Sequence, residues 1–510
     1  MLRSLSFSTL LATLVSTVGA ATADAKTITV SKSGSITSIQ AGINAASPGD
    51  TVSVKAGTYH ENVIIPGLKT GLTLEGSGKV VLDALPTTGL AAGPGISVFA
   101  NGVTIRDLVI KNAQMATGML GNAIRGSGSA ELLIDDVDAE NCNGAAFNLV
   151  SANGSTVSDC KVVACANGVY AIGSGISVQD SDVERTYSTS ILIAGNGAKV
   201  RDCTVRLASS YGVRISGAGA QVKECKFFGT RDEAVLIEGN GAKVVDCEFD
   251  SVHDYSVRVL GHGALVKKNK VARNGHTAFK LTGDGNSIRD NSIGDTDGYG
   301  IDAEGNGISI LNNKIRRTYG HSVSLNGDDF VISDNDLREA IESESIAIGV
   351  GSNGVISDNE IRLAARSAIS LTPQTSGFQI SGNEARECGG MAHPTYWIRG
   401  AGHALKKNTA EKGGDDGFRL EGSSHVLIDN ESEDNLADGF DVVWGSLHQL
   451  LGNTARRNGG EGIEVSGSTC KIQNNKCEKN RIDLAVDGTG VVLGGNTYKT
   501  GGPTTAGQLD

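Results

Sequence analysis

Two groups of side chains carry what acid–base chemistry on a sugar needs. The first comprises Tyr255, Arg258, His276, Lys280, Tyr299, Asp302 and His321. Removing the C5 proton of a uronic acid needs a cation or amide to neutralise the carboxylate. It also needs a base for the proton and an acid for the leaving oxygen or the opposite face. Arg258 or Lys280, His276 or His321, and Tyr299 or Tyr255 fit those roles. His276, Lys280, Tyr299 and His321 are therefore the candidate catalytic residues, with Tyr255, Arg258 and Asp302 as substrate contacts. The bland alternative is a salt-bridge ladder, Arg258–Lys280–Asp302, edged by polar loops.

The second group comprises Trp397, Arg399, Arg419, Asp441, Trp444 and Glu464, with Asp415, Asp416 and Asp438 in nearby loops. A flat indole beside small residues makes a platform for a sugar ring, so Trp397, Arg399 and Arg419 are further substrate-contact candidates. The alternative is an indole folded down over its own loop. Asp441 and Glu464 offer a carboxylate pair of the glycosidase kind. Asp295 and Asp297 offer hard oxygen ligands for Ca²⁺, the one cofactor the sequence suggests; acidic loops are otherwise simply solvated.

These residues share a face only if the chain repeats, and it does. Asn196-Gly-Ala-Lys-Val-Arg-Asp-Cys203 returns as Asn240-Gly-Ala-Lys-Val-Val-Asp-Cys247. The slot filled by Cys203, Cys225, Cys247, Asn269, Asn291, Asn313 and Asn335 recurs every 22 residues and continues less regularly to Asn496. Within a unit, Ile301 and Ala303 point one way and Asp302 the other, the period of a strand. Short Val- and Ile-rich strands between Gly turns bury an apolar face only by stacking coil upon coil. The expected fold is all-β: a parallel β-helix of about twenty coils of roughly 22 residues. The recurring Asn amides suit a file of identical tight turns, and the aligned cysteines suit buried, reduced thiols.

Counting along the repeat sets Arg214, Leu236, Arg258, Lys280, Asp302, Ser324, Ala347, Ser370, Arg399, Arg419, Asp441 and Glu464 in one outward file. The same count aligns Trp397 with Gly417, Gly439 and Gly462. Tyr299 and His321 stand at one offset from Asn291 and Asn313, so they should lie one coil apart.

Ser38-Ile-Gln-Ala-Gly-Ile-Asn-Ala45, followed by Gly49-Asp-Thr-Val-Ser-Val54, resembles the opening of the pectate-lyase-like right-handed β-helix superfamily, where a short helix caps the first coil. That resemblance implies a right-handed helix and, among several activities, action on polysaccharides. Tyr299-Gly-Ile-Asp-Ala-Glu304 resembles the Tyr-Gly-(Ile/Phe)-Asp-Pro-His motif of mannuronan C5-epimerases. Ala303-Glu304 replaces its Pro-His, so His276 or His321 would have to supply the imidazole.

The remaining composition narrows the setting. Arg3, an apolar run from Leu5 to Val18 and Ala21-Thr-Ala23 read as a secretory signal. The expected organisation is a signal over 1–23, a cap over 24–60, coils over 61–500 and a tail over 501–510. The chain is then secreted or periplasmic, and no segment is long enough to span a membrane. A formal charge of −12 disfavours nucleic acid. The expected partner is an acidic polysaccharide and the expected state a monomer. The first reading is lyase or C5-epimerase chemistry; the rivals are a non-catalytic binding solenoid and a glycoside hydrolase.

Overall fold

In the computed structural model, residues 24–85, 92–114 and 120–499 and the short strand Thr504–Thr505 are described. The proposed signal lies outside them, as does most of the proposed tail. The helix predicted near the start spans Ile39–Ala45. Ser38 caps it by accepting the Ala41 N–H at 3.1 Å. The Glu61 carboxylate takes the next free donors, the N–H groups of Ile39 and Gln40, at 2.8 and 3.0 Å.

Everything after it is a stack of parallel coils, about 21 in number. One coil shows the plan: strand Phe279–Thr282, strand Ser287–Arg289, a two-residue turn, strand Ser292–Thr296 and a loop. Each strand pairs in parallel with its equivalent one coil on, as Lys280 with Asp302 and Ile288 with Ile310. Parallel strands need long connections, and a coil supplies them by closing on itself.

The period-two pattern turns Val, Ile and Leu inward, where they are fully buried. Aromatics share one inward file: Tyr396, Phe418 and Phe440 stack at 4.5 and 4.9 Å between ring centroids. All nine cysteines are buried and free, as expected of stacked thiols.

The predicted Asn file is a hydrogen-bonded ladder. Asn313 donates through Nδ2 to the Ile288 carbonyl at 2.9 Å and to Asn335 Oδ1 at 3.1 Å. Its own Oδ1 accepts the Asn291 N–H and Nδ2–H at 3.1 and 2.9 Å. The residue before each Asn turns the chain through the left-handed region, as Asp290 does at φ 59°. Asp and Asn tolerate that conformation better than branched residues.

Candidate functional site

The outward face of the strands after the loops carries both predicted groups. Arg258, Lys280, Asp302 and Ser324 follow one another in register on successive coils. The loop residues gather beside them. Tyr255 meets His276 edge-on at 5.0 Å, and Tyr299 meets His321 at 4.9 Å, one coil apart as counted. Burial, then the charge of Asp254, pushes the Tyr255 phenol up.

The cations of this group already have anionic partners. Lys280 Nζ lies 2.5 Å from Asp302. Arg258 reaches the buried Glu233 at 3.0 Å and lies over the Tyr255 ring at 5.5 Å. His276 faces Asp254 at 3.8 Å and His321 faces Glu344 at 3.4 Å. The ladder alternative therefore describes much of the face, with Glu233 and Glu344 as partners the sequence reading did not name.

Among the described residues, Asp295 and Asp297 are not part of a group of three His, Cys, Asp or Glu side chains whose ligand atoms lie within 4.8 Å of one another. Asp295 sits 3.6 Å from Arg317. Among the described residues, the groups of three carboxyls lying within 4.8 Å of one another are Asp416, Asp438 and Asp441, and Asp438, Glu461 and Glu464. That spacing forces such carboxyls to share protons, or would suit a hard cation.

These acidic groups belong to the second predicted cluster, whose register needs one correction. Trp397, not Arg399, is in line with Ser370, Arg419, Asp441 and Glu464. The physical reason is alternation: Tyr396 and Ile398 are both buried, so Trp397 between them must face outward, as Arg419 does between Phe418 and Leu420. Arg399 lies past the strand's end. It donates to the Leu371 carbonyl at 2.9 Å and stacks on Trp397 at 4.1 Å. The indole N–H donates to Glu421 at 2.9 Å. Trp397 is thus held at its edge and on a face rather than left loose.

On the next rungs Arg419 gathers Asp416 at 2.6 Å, Asp415 at 3.1 Å and Asp441 at 3.4 Å. Asp416 also accepts the Asp438 N–H at 2.9 Å, and Asp438 accepts the Glu461 N–H at 2.6 Å. These carboxyls thereby cap the next coil as well as crowd one another. Burial, then hydrogen bonding with Glu461 and Glu464, pushes Asp438 up to about 9. Burial, then the charge of Asp416, pushes Asp441 up to about 7 against the pull of Arg419.

A second indole edges this surface. The ladder slips between Leu420 and Glu421, leaving Val443 without a partner and setting Trp444 opposite Glu421. The bulge turns Trp444 outward, where it is 53% exposed. Glu421 and Glu461 were missed in the sequence; the acids at 416 and 438, one coil apart, were the available signal for Glu461.

Comparison with known proteins follows the fold. The family model for the right handed beta helix region matches residues 41–198, 90–227, 189–337, 287–396 and 323–503. No curated protein matches the sequence. Similar solved structures include the A-module of a mannuronan C-5 epimerase from Azotobacter vinelandii, at 12% identity and TM-score 0.32, covering 76% of this chain and 94% of that one. An exopolygalacturonase from Thermotoga maritima shares 11% identity at TM-score 0.37, over 52% of this chain and 84% of its own. An alginate lyase from Paenibacillus sp. str. FPU-7 shares 14% at TM-score 0.35, over 56% and 95%. Likeness of this degree carries nothing about activity. No helix among the described residues is long and apolar enough to cross a membrane.

Proposed function

The chain belongs to the right-handed β-helix family, and on that premise we propose that it is an exported polysaccharide-cleaving protein acting at Asp441 and Glu464. One observation carries this reading: a carboxyl held near neutrality, Asp441 at about 7, stands one rung from a second outward carboxyl, Glu464. A general acid works best when its pKa lies close to the operating pH. Adjacent rungs are about 4.8 Å apart. That is close to the separation of about 5–5.5 Å at which the second carboxylate acts as nucleophile.

In this mechanism Asp441 gives its proton to the glycosidic oxygen while Glu464 attacks the anomeric carbon. The C–O bond breaks and a glycosyl ester forms on Glu464. The ionised Asp441 then takes a proton from water, which displaces Glu464. Asp438, holding its own proton behind the pair, lowers the charge that both must bear. Trp397, two coils before Asp441, and Trp444, further along the Asp441 strand, supply ring faces. So many carboxyls repel a polyuronate, so the substrate at this site is a neutral glycan. Export accords with the signal-like start.

The second reading keeps proton abstraction from a uronate at the first group, and the Tyr299–His321 contact at 4.9 Å favours it. Against it, Lys280 and Arg258 are each spent on a carboxylate. A panel of neutral glycans and polyuronates separates the two. Hydrolysis yields new reducing ends without ultraviolet absorbance, elimination yields an absorbing unsaturated product, and epimerisation changes only the NMR spectrum. Reducing ends from a neutral glycan are expected. Binding with no turnover of any glycan would leave a non-catalytic solenoid.

A further inference from the structure

His403, His425 and His448 fill one turn position on three successive coils and are fully buried. Their rings stack at 5.1 and 5.0 Å, and Phe378 continues the pile beyond His403 at 5.2 Å. Each Nδ1 accepts a backbone N–H from the coil before. Phe378 donates to His403 at 3.1 Å, His403 to His425 at 3.3 Å and His425 to His448 at 3.3 Å. With Nδ1 as the acceptor, this network assigns the proton to Nε2. There His403 donates to the Arg399 carbonyl at 2.9 Å and His425 to the Glu421 carbonyl at 3.0 Å.

Those two carbonyls belong to the residues that hold Trp397. The Glu421 carboxylate accepts the indole N–H at 2.9 Å, and the Arg399 guanidinium covers the indole at 4.1 Å. We propose that His403 and His425 are positioning residues: as neutral imidazoles they fix the backbone of Arg399 and Glu421, and through them the plane of the Trp397 ring, two coils before Asp441 in the same outward file. The purpose of that plane rests on the saccharide-site reading above; the coupling of imidazole to indole does not.

Packing alone does not call for histidine here. The same turn position is filled by Ala220, Ala242, Ile308 and Phe330 elsewhere, all buried. Where a polar group does occur, at Asn286, the amide makes the first of these bonds and moves the second one residue along, to the equivalent of Gly422 rather than Glu421. Its Oδ1 accepts the Ala264 N–H at 2.8 Å and its Nδ2 donates to the Gly283 carbonyl at 2.7 Å. Burial lowers His403 to about 4 and His425 to about 3, so both stay neutral near pH 7. The charged side chains at this turn are those of Arg399 and Glu421. The other neighbours are uncharged: Phe378, the Thr375 hydroxyl 3.2 Å from His403 Nε2, and the Cys470 thiol on the coil after His448, which burial pushes up.

The chain has two tryptophans. Trp444→Phe therefore leaves Trp397 as the sole indole reporter, and the test is run in that background. His425→Phe keeps a ring in the pile and deletes both hydrogen bonds; His425→Asn keeps the bond from the His403 N–H but, as at Asn286, moves the other from the Glu421 carbonyl to that of Gly422. With far-ultraviolet dichroism unchanged, both variants should shift Trp397 emission to the red and raise its quenching by acrylamide, because each takes the imidazole from the Glu421 carbonyl. Parental emission and quenching in either variant overturns the proposal. Should His425→Phe fail to fold, acid titration of the Trp444→Phe protein decides instead. NMR of the imidazoles and Trp397 emission should change together below about pH 4 while the fold persists. Charged imidazoles with unchanged emission overturn it. If the coupling holds yet no glycan binds, the saccharide-site reading fails and the positioning role stands.

Discussion

Asp441 and Asp302 occupy the same outward file and differ in what surrounds them. Asp302 is neutralised by Lys280 at 2.5 Å, whereas Asp441 shares Arg419 with Asp415 and Asp416. Burial, together with one cation shared among three carboxylates, leaves Asp441 nearer its protonated form, at about 7. If Asp441 must donate a proton, the rate should fall as pH rises through about 7, the alkaline limb of a bell whose acid limb comes from protonating the nucleophile, which a pH–rate profile reads directly. Glu464→Gln should cost at least about 10²-fold in rate if Glu464 is the nucleophile, a scale usual for removing one essential catalytic group; retention of full activity would exclude it. At this scale the sequence showed which residue types are outward, since alternation is visible in Ile301-Asp302-Ala303. It misplaced Arg399 by two residues, although Trp397 stands 11 residues before Asn408 just as Arg419 stands 11 before Asn430. Nor could it show that Arg258 would be spent on Glu233, since that bond crosses 25 positions of sequence.

The ladders inside the turns are where the elements acquire definition. Asn313 has donors and acceptors from three coils satisfied at once. Asn313→Ala should therefore cost about 1–2 kcal/mol, because buried amides on both sides lose partners; an unchanged unfolding midpoint would contradict this. The imidazole stack adds a pH dependence of known sign. His403 and His425 sit at about 4 and about 3 in the fold, below the unfolded value of about 6.5. The unfolded chain then binds more protons in acid. The stack's contribution is complete above about pH 6.5 and is lost as pH falls toward 4 and then 3. His425→Asn cannot titrate, so its thermal midpoint should gain on the parent's progressively across that window. Parallel curves would show that the imidazole does not carry the effect. The Asn ladder was legible from its 22-residue spacing. The His ladder went unread although His403, His425 and His448 stand 22 and 23 residues apart, each five before its Asn, because the same turn position holds Ala, Ile or Phe in other coils.

The whole molecule is a rod of about 21 coils, on the order of 100 Å long at about 4.8 Å per coil. Its outward face runs from coil to coil along the rod, with the carboxylate site toward the C-terminal end. A chain lying along it would be cut internally, so products should be oligosaccharides of mixed length, with viscosity falling before many reducing ends appear. A steady release of single sugars would contradict that. Coil number, stacking direction and the shared face were all legible from the repeat, because stacking is dictated by burial. The choice between the two groups on that face was not, because it depends on which charges neutralise which. One comparison tests it most directly: turnover and binding of the same neutral glycan by the parent protein, Asp441→Asn and Tyr299→Phe. The expected result is that Asp441→Asn still binds but loses at least about 10²-fold in reducing-end release, while Tyr299→Phe retains it. Full activity in Asp441→Asn with loss in Tyr299→Phe would move the chemistry to the first group and contradict the account.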